Sequence, residues 1–102
     1  MWKVEFETPN AETEAEEMIK TGALSVEDRR VISAWVRQVA LQGPESIEND
    51  KRWADHELED EWKGYRSSAF SNRGRIIYRV EKDVIKVLIE RITVTHDYRR
   101  KR

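Results

Sequence analysis

Residues 62–94, WKGYRSSAFSNRGRIIYRVEKDVIKVLIERITV, decide the fold of this chain. Three runs rich in β-branched and aromatic residues predict three β-strands, at Trp62 to Phe70, Arg75 to Glu81 and Val84 to Val94. The polar segments between them, 71–74 and 81–83, have the composition of hairpin turns. The C-terminal part of the chain therefore predicts an antiparallel sheet.

The preceding residues predict one more strand and two helices. Apolar and charged side chains alternate from Trp2 to Glu7, as in a half-buried strand. Apolar residues from Ala11 to Lys20 follow helical spacing, and Gly22 is a natural helix end. A second helix is predicted from a capping box at Ser25 to about Leu41. The apolar stripe of this helix is Ile32, Trp35, Val36 and Val39. The order β-α-α-β-β-β predicts an α+β fold, with two helices packed on a mainly antiparallel four-stranded sheet and the first strand beside a later one.

The composition is that of one globular domain, residues 1–102. A chain of this length suffices for a single two-layer core. Cysteine is absent, which excludes disulfide frameworks, zinc-thiolate sites and thiol catalysis. No apolar run approaches the roughly 20 residues that a membrane-spanning helix needs, so we expect a cytoplasmic protein with no membrane partner. The polar, acidic segment 44–60 is predicted as a long connection, either mobile or functional.

The net charge of −1 is the sum of two opposite blocks. Residues 1–62 carry 7 basic and 16 acidic side chains, whereas residues 63–102 carry 12 and 4. Strand alternation places Arg75 and Arg79 on the sheet face away from the helices, or at its rim. Together with Arg73 and the basic residues 99–102, they predict a surface that attracts phosphate groups. The alternative is a solvated sheet face whose cations protect an edge strand from pairing.

The two histidines, His56 and His96, are candidates for proton transfer near neutral pH. Cleavage of RNA requires a base for the ribose 2′-hydroxyl, a cation for the charge on the phosphate, and an acid for the departing 5′-oxygen. The residues that could supply these groups are His96, Tyr98, Arg73 and Arg75. Of the two histidines, His96 is the stronger candidate for the acid or base. The acidic segment around His56 lacks the spacing of a metal-ligand set, so no metal site is predicted. Glycine-rich phosphate loops are absent, and no cofactor is predicted.

In three segments the chain resembles the RelE/ParE superfamily of bacterial toxins. The segments are Trp62-Lys63-Gly64-Tyr65-Arg66-Ser67, Arg73-Gly74-Arg75-Ile76-Ile77-Tyr78-Arg79-Val80 and Thr93-Val94-Thr95-His96-Asp97-Tyr98. Segments of these kinds recur in this order in that superfamily. The Asp55-His56-x-Leu58 segment is most similar to the YafQ-like members, and the His-Tyr ending also resembles YoeB.

This resemblance implies a microbial RNase-like fold and an endoribonuclease that cuts mRNA in the ribosomal A site without metal, with a cognate antitoxin as partner. It implies that Arg75 holds the scissile phosphate, that His96 and Tyr98 are acid, base or stacking residues, and that His56 matches a histidine of YafQ-like toxins. The expected RNA-binding residues are Lys63, Tyr65, Arg66, Arg79, Arg99 and Arg100. Two other functions remain open: inhibition of DNA gyrase by binding, as in ParE, and an interaction module whose sheet binds a partner strand or helix.

Overall fold

The computed structural model describes residues 2–91, which form three helices and one five-stranded sheet. The strands are β1 (Lys3–Phe6), β2 (His56–Glu57), β3 (Arg66–Ala69), β4 (Gly74–Glu81) and β5 (Val84–Arg91). The helices are α1 (Pro9–Thr21), α2 (Val26–Gln42) and α3 (Pro44–Glu48). The strand order is β1-β5-β4-β3-β2, with β1 parallel to β5 and the other pairs antiparallel. The predicted α+β class with helices on a mainly antiparallel sheet is confirmed, and α3 and β2 are additions to it.

Local sequence signals set the ends of the two long helices. The Thr8 side chain accepts a hydrogen bond from the Ala11 amide at 3.0 Å, and α1 ends at Gly22 with φ 85°. The predicted capping box at the start of α2 is present, because Ser25 Oγ accepts from the Asp28 amide and Asp28 Oδ2 accepts from the Ser25 amide, each at 3.0 Å. No helix within residues 2–91 is long and apolar enough to span a membrane.

The main core lies between the helices and one face of the sheet. Trp35 and Val39 of the predicted stripe are fully buried and pack in a cluster with Ile76 and Tyr78 of β4. The Trp35 and Tyr78 rings meet edge to face, with centroids 5.2 Å apart. A smaller cluster includes Ile77, which points to the opposite face of β4. The members of this smaller cluster are Leu58, Trp62, Tyr65 and Ile77.

Two expectations need correction. Segment 44–60 contains α3, a single-turn 3₁₀ helix at Lys51–Trp53 and strand β2, because its apolar residues Ile47 and Trp53 are buried in the main core. The predicted strand from Trp62 begins only at Arg66, since Trp62 ends a second 3₁₀ turn and Gly64 has φ 95°. In the last predicted strand, residues 92–94 lie outside the described residues.

Candidate nucleic-acid interface

Arg75, Ile77 and Arg79 of β4 define what we call the outer face of the sheet. Their side chains alternate with Ile76 and Tyr78, which belong to the main core beneath the helices. The outer face is therefore the face opposite the helices, as predicted for the two arginines.

Strand β2 adds His56 to the outer face. His56 is paired with Ser67, which is paired with Ile77, and directly opposed residues of antiparallel strands share a face. Arg75 lies two residues along β4 from Ile77, about 7 Å away, and two strand spacings of about 5 Å separate β2 from β4. The sheet thus brings the predicted residues His56 and Arg75 to one face, with backbones roughly 12 Å apart by strand geometry.

Two of the arginines predicted to bind phosphate lie close together, Arg73 in the β3–β4 turn and Arg75 at the start of β4. Arg75 Nη1 donates to the backbone carbonyls of Ser71 at 3.2 Å and Gly74 at 2.8 Å, which holds its guanidinium against the turn. Arg73 is exposed, and its side chain makes no hydrogen bond or ion pair with other residues in the described range 2–91. Lys63, in the segment before β3, is exposed in the same way among these residues. Arg73 and Lys63 are therefore available to an anionic ligand.

Glu7 neutralises the other end of the outer face. Arg79 Nε donates to Glu7 Oε1 at 3.0 Å, and the Tyr65 hydroxyl donates to Glu7 Oε2 at 2.5 Å. A second carboxylate, that of Glu81, has an oxygen 3.6 Å from Arg79 Nη1. Tyr65 is also buried. Because two carboxylates surround one guanidinium, a phosphate at this end would meet negative charge, which disfavours Arg79 as a phosphate ligand.

A buried carboxylate, Asp55, anchors the chain just before β2. Its side chain is 0% exposed. Asp55 Oδ1 accepts a hydrogen bond from Arg66 Nε at 2.6 Å, and Oδ2 accepts from Ser68 Oγ at 2.7 Å and the Tyr78 hydroxyl at 2.6 Å. These bonds join the anchor to β3 and β4. A carboxylate that is inaccessible to solvent is stable here because three donors, one of them charged, surround it.

The donors around Asp55 are themselves fixed. Burial and the hydrogen bond to Asp55 raise the pKa of Tyr78 well above its ordinary value, so its hydroxyl remains a donor. Ser68 Oγ accepts from Trp35 Nε1 at 3.0 Å, which links the network to α2. Arg66 has two further carboxylate oxygens, at 3.6 and 3.8 Å from its guanidinium. Arg66, expected to bind RNA, is thus the internal counter-ion of Asp55.

Sequence reasoning did not identify Asp55, Ser68 or Glu7 as residues that shape this interface. Asp55 stands in the acidic segment 55–61, where no local signal separates a buried carboxylate from a solvated one. Glu7 simply follows the first strand. Within residues 2–91, no three side chains of His, Cys, Asp or Glu converge as metal ligands.

The remaining predicted site residues lie outside the described range. They are His96, Tyr98, Arg99 and Arg100. The last described residue, Arg91, is paired with Gly74, so β5 ends beside the turn that carries Arg73.

Solved structures match this chain over most of its length. Escherichia coli YafQ superposes with a TM-score of 0.69 at 14% identity, covering 89% of this chain and 93% of YafQ. YoeB of Staphylococcus aureus, in complex with YefM, superposes with a TM-score of 0.67 at 15% identity, covering 92% and 99%. The chain adopts the fold of YafQ and YoeB. The predicted RelE-type fold is thereby confirmed.

Further neighbours show the YafQ and YoeB fold in the same way. A copper-bound mutant toxin from Helicobacter pylori has a TM-score of 0.70 at 17% identity, covering 89% of this chain and 94% of that chain. YafQ and YoeB are also described in toxin-antitoxin complexes, with DinJ and YefM respectively. No family model and no curated protein sequence matches the chain.

Proposed function

We propose that this chain is the toxin of a type II toxin-antitoxin system and cleaves mRNA on the ribosome. The observation that carries the proposal is the location of His56 and Arg75 on the outer face of a sheet with the YafQ and YoeB fold. This face offers one group for proton transfer and one cation for a phosphate. A cognate antitoxin is the proposed protein partner, in line with the complexes of YafQ with DinJ and YoeB with YefM.

In the proposed reaction, a base removes the proton of a ribose 2′-hydroxyl and the 2′-oxygen attacks the adjacent phosphorus. The bond from phosphorus to the 5′-oxygen breaks, and that oxygen leaves with a proton from an acid, giving a 2′,3′-cyclic phosphate and a 5′-hydroxyl. Arg75 and Arg73 stabilise the negative charge that develops on the phosphate. His56, His96 and Tyr98 are the groups proposed to move the protons.

Strand β5 supports a role for the C-terminal residues at this turn. Arg91 lies beside Gly74 in the sheet, and His96 follows Arg91 by five residues. A span of five residues reaches at most about 18 Å, so His96 is within reach of a phosphate held by Arg73. We include Tyr98 in the proposed site because the resemblance implies an acid, base or stacking role for it.

Cleavage of mRNA in a translating extract tests the proposal. Wild-type protein is expected to cut mRNA at the ribosomal A site, and Arg75→Ala or His96→Ala is expected to lower the rate at least about 100-fold, the usual contribution of an aligned charge or acid-base group. Arg37→Ala is the matched control, because Arg37 is an exposed arginine on α2. It should cut at the wild-type rate. Thermal denaturation of each variant establishes that it is folded.

Inhibition of DNA gyrase is the alternative outcome. If the wild-type protein leaves mRNA intact and traps gyrase on DNA, the ribonuclease proposal is wrong and a ParE-like function replaces it. The antitoxin proposal has its own test, which is co-purification with the product of a neighbouring reading frame and loss of toxicity on co-expression.

A further inference from the structure

His56 is exposed on an edge strand, yet the backbone on both sides of it is held. Before it, the buried Asp55 carboxylate accepts three hydrogen bonds from β3 and β4. After it, Glu57 pairs with Arg66 in the β2–β3 ladder. A side chain at such a position has its direction set by the fold, although its ring meets solvent.

The residue before Asp55 has a backbone conformation that residues with a Cβ rarely adopt. Ala54 has φ 46° and ψ 44°, in the left-handed region. Its amide donates to the Lys51 carbonyl at 3.2 Å, and its own carbonyl oxygen lies 3.3 Å from His56 Nδ1. Such strain persists only where surrounding contacts enforce it, and here the Asp55 anchor adjoins it.

The contact between Ala54 and His56 selects one tautomer of the imidazole. A carbonyl oxygen only accepts hydrogen bonds, so His56 Nδ1 must carry the proton when the bond is made. In the neutral ring, Nε2 then holds the free lone pair. This is the form that accepts a proton from a hydroxyl group.

We infer that Asp55 is a positioning residue: by anchoring the turn before β2, its carboxylate keeps the proton of His56 on Nδ1 and leaves Nε2 as the proton acceptor on the outer face. The inference rests on the proposed function, in which His56 moves a proton. The Asp55 side chain is fully buried, so its carboxylate cannot touch RNA. Its effect on cleavage passes through His56.

The tautomer of His56 tests the positioning directly, by nitrogen NMR of histidine-labelled protein at a pH where the rings are neutral. The chain has two histidines, and the His56→Ala spectrum identifies the His56 signals. We expect the Nδ1–H form in the wild type and its loss in Asp55→Asn. Glu5→Gln is the matched control, because it removes a carboxylate bonded to Lys86 at 2.8 Å on the far edge of the sheet. It should leave the tautomer unchanged. A folded Asp55→Asn protein with the wild-type tautomer overturns the inference.

Kinetics separate positioning from a purely structural role. Asp55→Asn is expected to lower kcat for RNA cleavage about 10- to 100-fold, since direct loss of an acid-base group costs about 100-fold or more. KM should stay within about twofold of the wild-type value. In the His56→Ala background, the same substitution should have no further effect on kcat. An equal loss in both backgrounds, or a change in KM alone, contradicts action through His56.

Tyr78→Phe decides the matter if Asp55→Asn does not fold. This variant keeps the Asp55 charge and removes one of its three donors. A smaller change in tautomer and kcat in the same direction supports the inference, and no change overturns it. If the wild-type protein cuts no RNA while the His56 tautomer still depends on Asp55, the proposed function fails and the positioning geometry stands.

Discussion

The substitution Tyr78→Phe is expected to destabilise the protein more than Tyr65→Phe. Each hydroxyl donates to a carboxylate, Tyr78 to Asp55 at 2.6 Å and Tyr65 to Glu7 at 2.5 Å. A hydrogen bond to a charged group contributes about 1.5–3 kcal/mol. The Asp55 side chain is 0% exposed, so water cannot replace the lost donor, whereas Glu7 is 17% exposed and can be hydrated. We expect a loss of about 2–3 kcal/mol for Tyr78→Phe and about 1 kcal/mol or less for Tyr65→Phe.

Urea denaturation at neutral pH, followed by tryptophan fluorescence, measures both free energies of unfolding. Phenylalanine keeps each ring, so the edge-to-face contact between Tyr78 and Trp35 is retained and the hydroxyl alone is tested. For a domain of this size, a loss of about 2 kcal/mol lowers Tm by roughly 10 °C. The m-values should stay at the wild-type value, since the surface exposed on unfolding is unchanged. Equal losses, or a larger loss for Tyr65→Phe, would refute the reasoning that burial of Asp55 sets the strength of its network.

Three further predictions concern the turn, the RNA interface and acid stability. Gly74→Ala should lower stability by about 1–3 kcal/mol, because a Cβ there would lie 2.2 Å from the Phe70 ring; an unchanged Tm would contradict this. Lys63→Ala should weaken binding of a non-cleavable RNA and reduce the slope of log K against log salt by about 1. Fluorescence anisotropy measures this slope, and an unchanged slope would show that Lys63 does not contact the RNA. Hydrogen bonding to Arg52 lowers the pKa of Asp50 to about 2. The stabilisation from Asp50 is therefore present above its unfolded pKa of about 3.9 and lost as pH falls towards about 2. Asp50→Asn should flatten that part of the acid-unfolding curve.

Local sequence patterns predicted the elements that are specified by short-range signals or by regularly spaced apolar residues. The capping box at Ser25, the helix end at Gly22 and the two hairpins of the sheet depend on short-range signals, and the structure has them where they were predicted. Segment 44–60 was not predicted in the same way. Its helix and edge strand are stabilised by a few buried side chains, such as Ile47 and Trp53, in an otherwise polar segment. The segment has only three large apolar residues, Ile47, Trp53 and Leu58, which are too few to show helical or strand spacing.

In the candidate interface too, local signals identified some residues, and others depend on contacts between distant parts of the sequence. Residue type and motif singled out His56 and Arg75, but their presence on one face follows from the pairing of His56 with Ser67 in a two-residue strand. The role of Asp55 could not be predicted from the sequence, because its burial depends on donors that are distant along the chain. One of them, Tyr78, is 23 positions away. Long-range pairing of a polar residue leaves no local signature.

The charge asymmetry of the chain is in part a consequence of which strands meet. Within residues 2–91, three cations of the basic C-terminal half are bonded to carboxylates of the acidic N-terminal half. The pairs are Arg66 with Asp55 at 2.6 Å, Arg79 with Glu7 at 3.0 Å and Lys86 with Glu5 at 2.8 Å. These carboxylates come from β1, from the residue after it, and from the residue before β2, and β1 and β2 are the two edge strands. Carboxylates of the acidic half therefore neutralise cations of the basic strands from both edges of the sheet. Fewer cations are therefore left for phosphate than the sequence total suggests. RNA binding should depend on Lys63, on Arg73 and Arg75, and on the basic residues 99–102, with a weaker salt dependence than 12 basic residues would predict.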